Sequence, residues 1–430
     1  MPTIDRSLSS LAVGMLLALQ AGLTHAASND AEADALNLEG EKPAAEAPGT
    51  AKDTRISIEG AIGNSSQRYL PNSRDLARAS FDLSYSAKIG NGLRFVFSDR
   101  VDNIHPADGG ADSTINSLRE AFVSWQSEGG ANVLEFGRIN LRYGTAYGYN
   151  PTDFFRDGSL RTLTSANPFA LRDNRLGTVM LRGQRLWAGG SLSVAYSPKL
   201  DSRPSADGWS MDLGSTNNRD RLLVALGSQF SQSVNGQLLV YKESGNSATI
   251  GASGAALLSD AATAHAEWSF GRELDLASRA ALSPATKESR NRLAIGATYT
   301  TLGKLSITGE YQYNGFALGK QAWQTLGAAS PAGQVAYLSE AQRLQDLAPR
   351  QAVLIYVSQK GLAGIKDLDL TGFVRFNLLD QSRLAWVEVR RHWAKYDLAL
   401  QWQQHMGRIT SEFGIQPDRR IVQVVGTYYF

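Results

Sequence analysis

The residue types that most often carry chemistry are sparse or badly spaced in this chain. Of five histidines, His25 lies in the N-terminal leader, and His105, His265, His392 and His405 are scattered, with no spacing that suggests a metal site or a Ser/His dyad. Cysteine is absent, which removes disulfides, thiolate zinc sites and cysteine nucleophiles together. Carboxylate pairs are as frequent as in any wet interior and are therefore unspecific. No Walker or dinucleotide-binding glycine motif occurs. The arginines lack the aromatic interleaving of RNA-binding surfaces. These residues point away from an enzyme, call for no cofactor or metal, and exclude nucleic acid as a partner. What remains is recognition by charge. No Lys occurs between Lys88 and Lys199, so the cations of that stretch are Arg, which stays charged and grips carboxylate or phosphate in a bidentate way.

The charge is unevenly placed. The chain carries +2 overall; its first 26 residues are neutral and residues 27–53 carry −5, leaving +7 for residues 54–430. Residues 1–26 read as a signal peptide. Arg6 lies in a short polar region, Leu11–Leu23 is an apolar run too short to anchor in a membrane, and Thr24-His25-Ala26 offers small residues for cleavage after Ala26. The Ala-, Pro- and acid-rich residues 27–53 offer few packing side chains, so a disordered periplasmic segment is expected.

From Arg55 onward the chain reads as strand after strand. In Lys304–Tyr313 the residues Leu305, Ile307, Gly309, Tyr311 and Tyr313 share one face, and Lys304, Ser306, Thr308, Glu310 and Gln312 share the other. Mean hydropathy is only −0.24, yet a barrel strand spans a bilayer with about 10 residues that are apolar at alternate positions. Aromatics gather at strand ends, as in a membrane-interface girdle: Tyr299, Tyr311, Tyr313, Tyr396, Trp402, Tyr428 and Phe430. Connections alternate short and long. Short ones fall at Gly90-Asn91-Gly92, Gln126–Asn132, Trp187–Gly189, Gly271–Glu273, Thr301–Gly303 and His392–Ala394; long ones at 63–79, 102–116, 143–176, 198–219, 314–351 and 404–419.

Nineteen strand-like stretches can be counted, but both termini on one side require an even number. Discounting the Gly/Ala-rich Thr249–Leu257 restores the phase and gives 18 strands, with 16 as the alternative. The expected fold is all-β: a transmembrane, antiparallel, up-and-down β-barrel over 54–430, its first strand (Arg55–Ile62) paired with its last (Ile421–Phe430), because no lipid-facing sheet edge can stay open.

The last strand, IVQVVGTYYF, carries Gln423, Tyr428 and the terminal Phe430 in a pattern that resembles the insertion signal of outer-membrane barrels, with Gly426 one place later than usual. The chain thus resembles the Gram-negative outer-membrane β-barrels of porin-like type, and more weakly the alginate-export barrels in strand number, Arg content and large loops. The resemblance implies outer-membrane lipid and lipopolysaccharide, the barrel-insertion machinery and a hydrophilic solute or polysaccharide as partners, and allows a homotrimer.

Such a barrel is wide enough for water, and inward charges then decide what passes. Strand parity turns Asp82, Lys88, Arg94, Arg138, Arg142, Arg292, Glu310 and Arg375 inward, where they either select solutes or pair across strands. The third long connection, 143–176, holds Asp153, Arg156, Asp157, Arg161, Arg172, Asp173 and Arg175 with Phe154, Phe155 and Phe169. In general porins the loop at this place folds into the lumen, so these are the constriction candidates. The alternative is a surface loop held by Asn150-Pro151 and Asn167-Pro168 turns. Residues 331–350 have helical spacing at Val335, Leu338, Ala341, Leu344 and Leu347, which predicts a short helix packed on the rim or acting as a lid. Three functions are compatible: passive diffusion of small, preferentially anionic solutes, export of an anionic exopolysaccharide, and a non-conducting structural or adhesion barrel.

Overall fold

Strands with a polar inner and an apolar outer face build a single closed wall. The computed structural model describes residues 52–69, 73–107 and 112–430; the expected signal peptide over 1–26 and nearly all of the acidic segment expected to be disordered lie outside the described residues. Eighteen antiparallel strands follow in chain order. They are β1 (Lys52–Gln67), β2 (Ser73–Gly90), β3 (Leu93–His105), β4 (Thr114–Gln126), β5 (Asn132–Ile139) and β6 (Thr178–Trp187). Then come β7 (Gly190–Ser197), β8 (Arg221–Ser231), β9 (Val234–Glu243), β10 (Thr249–Ser259), β11 (Ala262–Leu274) and β12 (Lys287–Thr300). The last six are β13 (Leu305–Asn314), β14 (Gln351–Gln359), β15 (Leu368–Asn377), β16 (Arg383–His392), β17 (Tyr396–Met406) and β18 (Asp418–Tyr429). Each strand pairs with its chain neighbours, and β1 closes on β18 with Ser57 opposite Tyr429 and Ile62 opposite Val424. The all-β barrel of 18 strands is as expected.

The alternation fixes which face is which. On β13, Ser306, Thr308, Glu310, Gln312 and Asn314 are buried and point inward, while Ile307 is exposed on the outside. Ile62, Phe136 and Leu238 are likewise exposed on the outer surface, each by 60% or more. An outer wall of this kind is stable in hydrocarbon and not in water.

Several boundaries differ from expectation. Thr249–Leu257 is a genuine strand, most of β10, and the surplus stretch arose from the turn expected at Gly271–Glu273, which lies inside the continuous β11. Gly251 is small for a local reason: a Cβ there would stand 3.2 Å from both Phe154 and Thr152, which pack on it from inside the barrel. The connection expected over 63–79 is mostly strand, and both ends of that expected over 102–116 are strand, with Asn64 opposite Asp75 and Asn103 opposite Thr114. Strands that continue beyond an apolar belt need no apolar face, so their polar ends read as loop. The barrel also begins earlier, at Lys52.

Among the described residues, five short α-helices sit in the long connections: α1 (Pro168–Asp173), α2 (Leu213–Thr216), α3 (Leu276–Arg279), α4 (Lys320–Ala329) and α5 (Pro331–Arg343). The helix expected over 331–350 stops at Arg343, and α4 was not foreseen. The buried side of α5 carries Gly333, Gln334, Tyr337 and Ala341, whereas Val335 is exposed. Tyr337, Trp323, Leu344, Leu276 and Leu379 form one apolar cluster that ties three connections together at the rim.

Candidate functional site

The segment between β5 and β6, residues 140–177, does not lie on the surface. It enters the barrel and is held to the opposite wall by two inward carboxylates. Glu267 of β11 accepts hydrogen bonds from the Ala146 amide (2.6 Å), the Asn150 side chain (2.9 Å) and the Thr152 hydroxyl (2.8 Å). Glu310 of β13 accepts from the amides of Tyr147 (2.6 Å) and Gly148 (3.1 Å), with His265 Nε2 3.1 Å away. Backbone amides buried inside a barrel must find acceptors, and two carboxylates on neighbouring inward faces supply them. Gly144 is required here, since its φ is +102° and a Cβ would stand 2.5 Å from the Glu267 carboxylate. Tyr147 packs parallel to His265 (5.7 Å) and edge-on to Tyr356 and Phe169.

A second tie joins this segment to the connection that follows α5. Asp346 accepts from Tyr149 Oη (2.6 Å) and Arg156 (3.1 Å) and pairs with Arg292 of β12 (3.0 Å), which also reaches Glu273. Burial alone would raise the Asp346 carboxyl; Arg292, Arg156 and the tyrosine hydroxyl outweigh it and hold it at about 2. Arg175 bridges Asp153 (2.5 Å) and Gln345 (2.6 Å), and Arg343 reaches Asp157 (2.8 Å). Burial pulls the Arg175 guanidinium down to about 10, against the attraction of Asp153. Between these elements and the wall lies a cavity of about 90 Å³, partly open to solvent and lined by Phe154, Arg156, Tyr241, Glu273, Arg292 and Asp346 among others.

Most of the residues singled out from the sequence meet here, though as neutralised pairs. Asp153 with Arg172 and Arg175, Arg156 with Asp346, Asp157 with Arg343, and Arg142 with Asp173 are all ion pairs. Arg142 lies beyond the end of β5 and so has no strand parity. Arg138, expected inward, lies on the outer face: the register runs unbroken from the inward Glu135 opposite Arg182, through the outward Phe136 opposite Leu181, to Arg138 opposite Val179; it donates to the carbonyls of Gly177 (2.8 Å) and Met211 (2.5 Å). Arg161 leaves the group altogether and binds carbonyls of the β7–β8 connection. Asp82 pairs with Arg119 (2.5 Å) on the inner wall. Lys88 and Arg94 stand opposite each other at the β2–β3 turn end. Arg375 lies on β15 near the buried Glu412. Sequence reasoning did not single out Glu267, Asp346, Gln345 or Tyr149. Glu267 was within reach, because it alternates with outward Ala266 and Trp268 on β11; Asp346 was not, because no periodicity governs a loop.

No family model matches the chain, and no curated protein matches it. Solved structures do. OccAB1 of Acinetobacter baumannii is 12% identical with a TM-score of 0.58, over 91% of this chain and 99% of that one. OccAB4 of the same organism is 8% identical with a TM-score of 0.55, over 89% and 98%. OccK10 (OpdN) of Pseudomonas aeruginosa is 11% identical with a TM-score of 0.53, over 88% and 99%. The likeness is one of fold: the chain shares a closed, porin-like β-barrel with these structures.

Proposed function

We propose that this barrel is a passive outer-membrane channel for small hydrophilic solutes, narrowed from within by residues 140–177 and favouring anions. One observation carries the reading. The inner segment is fastened to β11–β13, while the inward faces of β1–β4 and β16–β18 bear the charged series Glu59, Arg78, Asp82, Arg100, Arg119, Glu388 and Arg390. A wall of that kind suits water and solutes in transit. The anion preference is supported by the +7 charge of residues 54–430 and by the facing cations Lys88 and Arg94 at one mouth, which raise local anion concentration without chemistry. Placement in the outer membrane after cleavage at Ala26 is part of the same reading. Reconstitution into planar bilayers tests it: ion conductance is expected, with a reversal potential on the anion side under a salt gradient. Absence of conductance or a cation preference overturns it, and membrane fractionation with N-terminal sequencing tests the location separately.

A further inference from the structure

The wall has a seam where a strand is missing. β4 pairs with β3 from Thr114 to Trp125, but with β5 only from Ala121 to Gln126. The edge over residues 114–120 therefore has no β5 beside it, because the chain after Ile139 turns inward. This edge adjoins the outer belt: Asn116 lies opposite Val101, and Val101 opposite Phe81, whose ring is exposed outside. Unpaired backbone there would be costly in lipid.

Residues 207–217 of the β7–β8 connection fill the gap. At one side the Asn116 amide donates to the Gly208 carbonyl (2.7 Å). At the other, Asn217 accepts from the Val179 amide (3.0 Å) and donates to its carbonyl (2.8 Å) on β6. Side chains, not a ladder, complete the join. Arg161 donates to the carbonyls of Asn116 (2.8 Å), Asp207 (2.6 Å) and Ser210 (2.7 Å), and Arg138 donates to Gly177 and Met211. Two glycines permit the close fit: a Cβ on Gly208 would stand 2.1 Å from the Thr114 carbonyl, and one on Gly177 2.3 Å from that of Arg119. Outside, Trp209 is 64% and Met211 55% exposed. Beneath, the outward pair Asp99 and Asn116 is polar and joined by hydrogen bonds of 2.9–3.0 Å.

We infer that residues 207–217 are a displaceable wall panel over a side port, through which an anionic amphiphile such as a long-chain carboxylate moves between the lumen and the outer lipid. The inference rests on the bilayer placement proposed above. A panel held by two guanidinium groups on neutral carbonyls can exchange those bonds for bidentate ion pairs with a carboxylate head, which are stronger. The apolar tail then lies along Trp209, Met211 and the lipid, and Asp99 and Asn116 keep water-compatible groups at the port.

Photolabelling in phosphatidylethanolamine vesicles tests this with a diazirine-bearing dodecanoate and the dodecanol of equal length. Peptides covering 112–120 and 207–217 should label with the carboxylate about tenfold more than with the alcohol, and more than the outward stretch Leu192–Tyr196 of β7. Arg161→Gln should bring the carboxylate-to-alcohol ratio at the seam to near one, and Arg161→Lys should keep it well above one, each variant retaining the heat-resistant compact form on gels. Even labelling around the belt, a wild-type ratio near one, or a ratio unchanged in Arg161→Gln overturns the inference. Conductance of the same preparations separates its failure from that of the channel reading, since seam labelling and small-ion flow are read independently.

Discussion

Two stretches of the wall obey the same alternation but face different interiors. Along β6–β9 the inward side chains include Met180, Ala195, Leu223, Ala225 and Leu239, all nearly fully buried, and they pack with Ile139, Leu141, Phe155 and Tyr241. Along β1–β4 and β16–β18 they include Glu59, Arg78, Arg100, Arg119, Glu388 and Arg390, held in ion pairs at 2.5–3.0 Å. The first stretch is dry because the root of the inner segment covers it; the second is polar because nothing apolar does. The contrast teaches that inner-face polarity reports what lies against the wall, and here it marks the side on which solutes would move.

The strongest test of that division removes the cover. Replacing residues 146–172 with a short Gly/Ser link should raise single-channel conductance several-fold and at the same time expose Met180, Leu223 and Leu239 to water, so the barrel should unfold at lower denaturant. Unchanged conductance would show that the segment does not set the bore. Next in size is Asp346→Ala, which leaves the buried Arg156 and Arg292 without their shared partner. Stranding buried charge costs about 3–5 kcal/mol, read as an earlier transition in urea gels together with noisier conductance as the inner segment loosens.

A paired substitution then separates the two stretches. Leu223→Ala should cost about 2–5 kcal/mol of stability as a cavity-forming core change and leave ion selectivity as it was. Arg390→Gln, at a position 21% exposed and paired with Glu388 and Asp397, should cost less than about 1 kcal/mol while moving the reversal potential toward cations. If both variants shifted selectivity equally, the division into dry and wet walls would fail.

The strand series, the closure of β1 on β18 and the count of 18 were legible because side chains on a strand alternate with period 2 wherever one face is lipid. The dry stretch was legible too, though unused. Arg221–Gly227 (RLLVALG) is apolar on both faces, the pattern of a strand covered on each side. The site was legible in part. Parity found Glu310 and Arg292, and the loop between β5 and β6 stood out by its charges, but charge content could not reveal that those charges neutralise one another. Arg138, on the outer face of β5 opposite Val179, and Arg161 escaped because a missing strand end opens a seam there that a loop far along the chain fills. Ion pairs across connections, such as Asp153 to Arg175 or Arg156 to Asp346, follow from how loops meet in space and leave no period to read.

The pH dependence of the rim runs opposite in sign to that of Asp346. Glu412, between β17 and β18, is buried against Asn377, with Arg375 and Asp380 close by. Burial pushes its carboxyl up to about 7, with Asp380 adding to the rise and Arg375 opposing it. In the unfolded chain it titrates near the ordinary carboxylate value, so between about pH 4.5 and 7 the folded form binds more protons and stability should fall as pH rises. Asp346, held at about 2 in the fold, is already ionised in both states over that window; its contribution is lost only as pH drops below about 4. A decline of about 2–3 kcal/mol from pH 4.5 to 7 that vanishes in Glu412→Gln but persists in Asp346→Asn would assign the slope to the rim. A slope retained in Glu412→Gln would mean that the rim cluster does not set the pH dependence, and that the titrating group belongs to the wet wall instead.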